Sequence, residues 1–129
     1  MLKLKPAATD LAWLDLLPGV RVRVRPISVA MVLIGRDEAG KVFLENRVAS
    51  EADAEAGNPN VGTHAGIALV RSLAHAGIVE WEGVGDSDGA VIVVTPEHID
   101  LLLDDWRAYD ALDRHYVGPA LDREREKNA

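Results

Sequence analysis

Histidines and carboxylates have the most scope for chemistry in this chain, because it contains no cysteine. A thiol nucleophile, a disulfide scaffold and a Cys-ligated zinc or iron–sulfur site are thereby excluded. His64 and His75 are eleven positions apart. On a helix they share a face to within about 20° but stand about 16 Å apart along the axis, too far to share one ion. His98 and His115 lack a ligand-type partner four residues away, so no metal site is expected. Asp86-Ser87-Asp88-Gly89 resembles the middle of a calcium loop, but Val84 and Thr95 stand where the loop needs its first and last oxygen ligands. Gly83-Val84-Gly85 joins strand to strand, with no helix N-terminus to hold a phosphate. Asp104 and Asp105 fall on a solvated helix face, and the serines and threonines sit at caps and turns. No acid–base couple or nucleophile–base pair emerges. The expectation is a protein that is not an enzyme and carries no cofactor.

Arg21, Arg23 and Arg25 alternate with valine. On a strand their side chains share one face at a spacing of nearly 7 Å, close to that of backbone phosphates. They would meet an anionic partner, or they would pair with carboxylates from later in the chain; the second reading is favoured. The charge distribution agrees. The chain totals −7, but residues 1–47 carry 8 basic and 5 acidic side chains, whereas residues 48–129 carry 6 and 16. Only the first third could offer a basic surface, so nucleic-acid binding is not expected.

The elements that must position these residues follow from periodicity and punctuation. Composition is that of a globular chain (48% hydrophobic, 27% charged), and one domain is expected over residues 1–129, with residues 120–129 as a charged, frayed tail. No leader-type or membrane-spanning apolar run is apparent, so a cytoplasmic location is expected. Val20–Arg25 reads as a half-buried strand between Pro18-Gly19 and Pro26. The preceding Leu11–Leu17 reads as a short helix or turn. Ser28 would cap a helix from Val29 to about Arg36, ended by Asp37 and Gly40. Lys41–Val48 is open between helix and strand, and Ala49–Asn58 reads as a mobile connection. Asn58-Pro59 would open a helix that runs to Ala76 and stops at Gly77. Ile78–Val84 and Ala90–Val94 would form a β-hairpin around the Asp-Gly turn. Thr95-Pro96 would open a helix facing the core with Ile99, Leu102, Leu103 and Trp106, while Asp100, Asp104, Asp105 and Arg107 face water. A further helical run through Tyr116 would be broken by Gly118-Pro119. At least one of Trp81 and Trp106 is expected to be buried. The fold class expected is α+β: a small antiparallel sheet including a β-hairpin, with helices on one side.

Helix 59–76 is apolar nearly all round. Val61, Ala65, Ala68, Leu69, Ser72 and Ala76 make one stripe, and Ile67, Val70 and Ala74 lie opposite. Such a helix is buried on more than one side or covered by a partner. Ile67, Val70 and Ala74 are the candidates for a face that meets a second copy of the chain or a client helix.

Ile78-Val79-Glu80-Trp81-Glu82-Gly83-Val84, the acid–glycine turn Asp86–Gly89, and Thr95-Pro96-Glu97 together resemble a segment of the tail assembly chaperones of long-tailed phages. The N-terminal strand followed by a helix is similar, as is the end with Tyr116, Pro119 and Glu126-Lys127-Asn128. The resemblance runs from about Val20 to Asn128. It departs after the turn, where Ala90-Val91-Ile92 stands in place of Pro-Leu, and in the acidic stretch 49–58. The resemblance implies a non-catalytic protein of a phage, prophage or gene-transfer particle. Such a protein coats the tape-measure protein, keeps it soluble and recruits tail-tube subunits. Glu126-Lys127-Asn128 can be encoded by a slippery A AAA AAC, so the resemblance leaves open two readings of the end: a second, longer product made by a −1 ribosomal slip, or a charged tail of no consequence. A generic protein–protein module or another virion-morphogenesis factor is the alternative, and a nucleic-acid binder using Arg21, Arg23 and Arg25 stands behind both.

Overall fold

The structure, a computed structural model, describes residues 1–6 and 9–122. Its elements are β1 (Ala12–Leu17), β2 (Val20–Val24), α1 (Val29–Ala52), a 3-10 turn (Ala54–Ala56), α2 (Val61–Gly77), β3 (Ile78–Glu82), α3 (Pro96–Leu103), α4 (Trp106–Leu112) and a π-type turn (Asp113–Val117). The strands form one antiparallel sheet in the order β1-β2-β3. The fold is α+β, with one sheet face charged and the other packed on helices.

The Val-Arg alternation sets the middle strand. Val22 and Val24 turn to the core, fully buried or nearly so, and the arginines turn outward. Leu11–Leu17 is a correction: from Ala12 on it is extended, not helical. Pro18 and Gly19, the latter at φ +77°, reverse the chain. Leu14 then pairs with Val22 and Trp13 with Arg23, so Leu14 and Leu16 go inward while Trp13 and Asp15 go outward. β3 completes the sheet against β2, with Trp81 opposite Val22 and Glu82 opposite Arg21.

Ser28 caps α1 as expected, its hydroxyl accepting from the Met31 N–H at 3.2 Å. The helix does not stop at Arg36. It continues through Asp37 and Gly40 to Ala52, which corrects the reading of Ala49–Asn58 as a connection over its first four residues, while Asp53–Asn58 with its 3-10 turn does link α1 to α2. A mid-helix glycine costs only about 1 kcal/mol, and packing of α1 along α2 outweighs that. Gly35 makes the close approach possible: a Cβ there would lie 2.6 Å from Leu69 Cδ1. α2 starts at Val61, two residues later than expected, because Asn58 forms a turn of its own. Its side-chain oxygen accepts from the Asn60 N–H at 2.9 Å.

The expected hairpin forms only in part. The turn is present, with Asp86 Oδ1 accepting from the N–H groups of Asp88 and Ala90, each at 2.9 Å. β3 ends at Glu82, and residues 90–94 make one isolated bridge, Gly85 with Val91, rather than a strand. Two backbone hydrogen bonds flank that bridge, Asp86 N–H to the Ala90 carbonyl at 2.9 Å and Ile92 N–H to the Val84 carbonyl at 3.4 Å, and beyond them the Ile92 carbonyl accepts from the Trp81 indole Nε1 at 2.8 Å.

Trp81 is buried at 9% exposure, as expected for one of the two tryptophans. Trp106 is a correction as a core residue: it is 75% exposed. α3 ends at Leu103, and Asp105 opens a separate helix by accepting from the N–H groups of Arg107 and Ala108. This restart moves Trp106 off the apolar face of Ile99 and Leu103. Asp100 was expected in water but binds α2 through His75 and Arg71. Gly118-Pro119 does not end the helical run either, since residues 118–122 are helical. The Gly118 N–H reaches back to the Asp113 carbonyl, widening the turn ahead of the proline. The rest of the charged tail, including Glu126-Lys127-Asn128, lies outside the described residues. The core joins Val22, Val24 and Trp81 of the sheet to Val70, Leu73 and Ala74 of α2. Ile99, Leu103, Leu112, Tyr116 and Val117 close it from the C-terminal side.

Candidate partner-binding surfaces

The arginine row takes the second of its two readings. Arg21 forks onto Glu82, with Nε donating at 2.7 Å and Nη2 at 3.0 Å, and Arg23 Nη1 donates to Glu80 at 2.9 Å. These are direct cross-strand partners, because β3 lies antiparallel beside β2. The pairing raises the Arg21 guanidinium pKa and holds the Glu82 carboxyl below the usual carboxylate range, in each case chiefly through the hydrogen bonds between them. Arg21 also lies over the Trp13 ring, 4.2 Å from its centroid. Arg25 leaves the row altogether. Its Nη1 donates to the Ala76 carbonyl at the end of α2, and its backbone N–H donates to Gly77, each at 2.8 Å.

The candidate face on α2 turns inward. Val70 is 3% exposed and Ala74 is fully buried, both in the core, and Ile67 is half-buried. The periodicity correctly marked two apolar faces, but both are covered by the chain itself. α1 lies along one side of α2, and the sheet with α3 and the C-terminal turn lies along the other. The placement of Ile67, Val70 and Ala74 as an outer face is thus corrected.

An open apolar surface runs along α1. Leu33, Ile34, Phe43, Leu44 and Val48 are each between 49% and 60% exposed. At 100° per residue, Leu33, Leu44 and Val48 fall within about 60° of one another. Asp37 and Lys41 lie among them, with Lys41 Nζ 3.0 Å from Glu38 and 3.7 Å from Asp37. Ending the helix at Gly40 split this stripe in two and hid it from sequence reasoning. The 3.6-residue period continued past Gly40 would have revealed it.

Two of the histidines tie neighbouring segments together, and His64 and His115 are exposed. His75 Nε2 lies 2.7 Å from Asp100 Oδ1, which also faces Arg71 Nε at 3.3 Å, tying α2 to α3. His98 Nδ1 meets the Val93 carbonyl at 2.6 Å. No group of three metal-ligating side chains occurs among the described residues. A shallow cleft of about 310 Å³ lies between the end of α2, β3 and the start of α3. Its polar side chains are already engaged: Arg25 on Ala76, His75 on Asp100, and Thr95 as the α3 cap. Among the described residues no helix is long and apolar enough to cross a membrane. No protein-family model matches the chain, and neither a curated protein nor a solved structure does.

Proposed function

We propose that this protein is a tail assembly chaperone of the long-tailed phage type. It holds apolar helical stretches of a tape-measure protein in solution in the host cytoplasm and helps to recruit tail-tube subunits. The observation that carries the reading is the outward apolar stripe of Leu33, Leu44 and Val48, flanked on its two sides by the exposed Ile34 and Phe43, on a helix 24 residues long. A stripe of this kind receives an amphipathic client helix along its length. Covering the exposed part of each of these side chains contributes on the order of 1 kcal/mol. The net charge of −7 would keep a loaded complex dispersed. The resemblance between Val20 and Asn128 supplies the client's identity. The cross-strand pairing of Arg21 and Arg23 with carboxylates weighs against a nucleic-acid partner.

The test is co-expression with the tape-measure protein of the same particle. The wild-type chain is expected to keep the client soluble and to co-purify with it. Leu33→Lys combined with Leu44→Lys is expected to abolish this while leaving the circular dichroism spectrum unchanged. A client that precipitates equally with and without the wild-type chain would sink the reading.

A further inference from the structure

The chain opens Met1-Leu2-Lys3-Leu4-Lys5, an alternation of apolar and basic residues with period two. That is a strand period, with leucines on one face and lysines on the other. Yet the segment lies outside the sheet. Leu2 is 65% and Leu4 87% exposed, and residues 1–5 make no backbone hydrogen bond with another described residue. Among the described residues it is a strand sequence without a partner.

The sheet has an edge that fits it. Among the described residues β1 pairs with β2 alone and packs on α4, so its other edge presents N–H and C=O groups without a strand partner. Its inward residues there are Leu14 and Leu16, and its outward residues are Trp13 and Asp15. Across the outer face the charges alternate in sign, from Asp15 to Arg21 to Glu82. Arg21 directs its fork to Glu82 and feels the Asp15 charge only through space, so among the described residues the Asp15 carboxylate makes no side-chain hydrogen bond or close ion pair of its own. A further strand outside β1 would continue both patterns if its core side were leucine and its outer side lysine. Leu2–Lys5 has that pattern, and its two lysines would bring cations to an acidic chain on the side of Asp15 that faces away from Arg21.

We propose that the outer edge of β1 is a strand-addition site and that its occupant is Leu2–Lys5 of a second copy of this chain. In a single copy both strand and edge are left open, and reciprocal exchange between two copies satisfies both and closes a two-fold dimer. The lysines set the phase, because a one-residue slip would turn them into the core. The dimer depends on the sheet and not on α1, so it stands apart from client binding.

The absence of cysteine from the chain permits a direct test. Full-length Lys3→Cys chains are mixed with Asp15→Cys chains under mild oxidation, with Lys5→Cys as the alternative register. The expected product is a disulfide-linked heterodimer in excess over either homodimer. By analytical ultracentrifugation the wild-type chain should dimerise. Lys3→Glu combined with Lys5→Glu, or deletion of residues 2–5, should raise the dissociation constant at least about tenfold with the circular dichroism unchanged. A wild-type chain that stays monomeric would overturn the proposal. So would a dimer that survives the deletion, or a Lys3→Cys, Asp15→Cys double variant that closes its disulfide within one chain.

Discussion

Tyr116→Phe removes one oxygen atom at the junction that ties the C-terminal turn to the sheet. Tyr116 is 8% exposed, and its hydroxyl donates to the Arg25 carbonyl at 2.6 Å. Its ring lies against Gly77, where any Cβ would strike it. Gly77 in turn accepts from the Arg25 N–H. The ends of β2 and α2 and the π-type turn therefore meet at one point. Phenylalanine keeps the ring and its packing but leaves the Arg25 carbonyl without that donor. The expected cost is about 1–2 kcal/mol, a net hydrogen bond plus part of the desolvation of its acceptor. In a domain of this size that lowers the melting temperature by roughly 3–8 °C. The effect should also depend on pH. Burial pushes the Tyr116 hydroxyl up to about 12, with the nearby Arg25 cation acting in the opposite direction, whereas a tyrosine in an unfolded chain titrates near 10. The folded state thus keeps a proton that the unfolded state releases between those values. This contribution to stability is complete below pH 10 and is lost as pH rises towards 12. The variant lacks the titration, so the stability gap between the two proteins should narrow over that window. Urea unfolding followed by far-UV circular dichroism from pH 8 to 12 measures both effects. A gap below about 0.5 kcal/mol at neutral pH, or one that stays constant to pH 12, would refute the reasoning.

Three further outcomes are expected. Val70→Asp buries an unpaired carboxylate among Leu73 and the sheet residues and should unfold the domain, at a cost of several kcal/mol, whereas Leu44→Asp on the outer face of α1 should stay folded; thermal melts of the two compare them. Trp81→Ala should cost about 3–5 kcal/mol in denaturant unfolding, because it empties a core position and frees the Ile92 carbonyl. Trp106→Ala should cost less than about 1 kcal/mol, because the side chain is 75% exposed. Gly83→Ala should be strongly destabilising in the same measurement, since Gly83 sits at φ +78° with the Gly19 carbonyl in the place of a Cβ.

Local signals were enough for several elements of this chain. The Val-Arg alternation determined β2 and its inward face, because a two-residue period has meaning only on a strand. Ser28 and Thr95 marked two helix starts, since each hydroxyl satisfies an N–H three residues ahead and needs nothing distant. The same short reach explains the Asp86 turn. The surfaces were decided elsewhere. Ala12–Leu17 became a strand because β2 was there to pair with it. α1 passed Gly40 because α2 supplied a packing partner, and the apolar stripe on its far side could not be seen until its length was known. Val70 and Ala74 on α2 are chemically fit for an interface and are core only because the sheet and the C-terminal helices close over them. Trp81 binds the Ile92 carbonyl from eleven residues away, and Asp105 restarted the helix that left Trp106 outside. Periodicity states that a face is apolar, but what covers that face depends on contacts between residues far apart in the chain, and those exist only once the chain has folded.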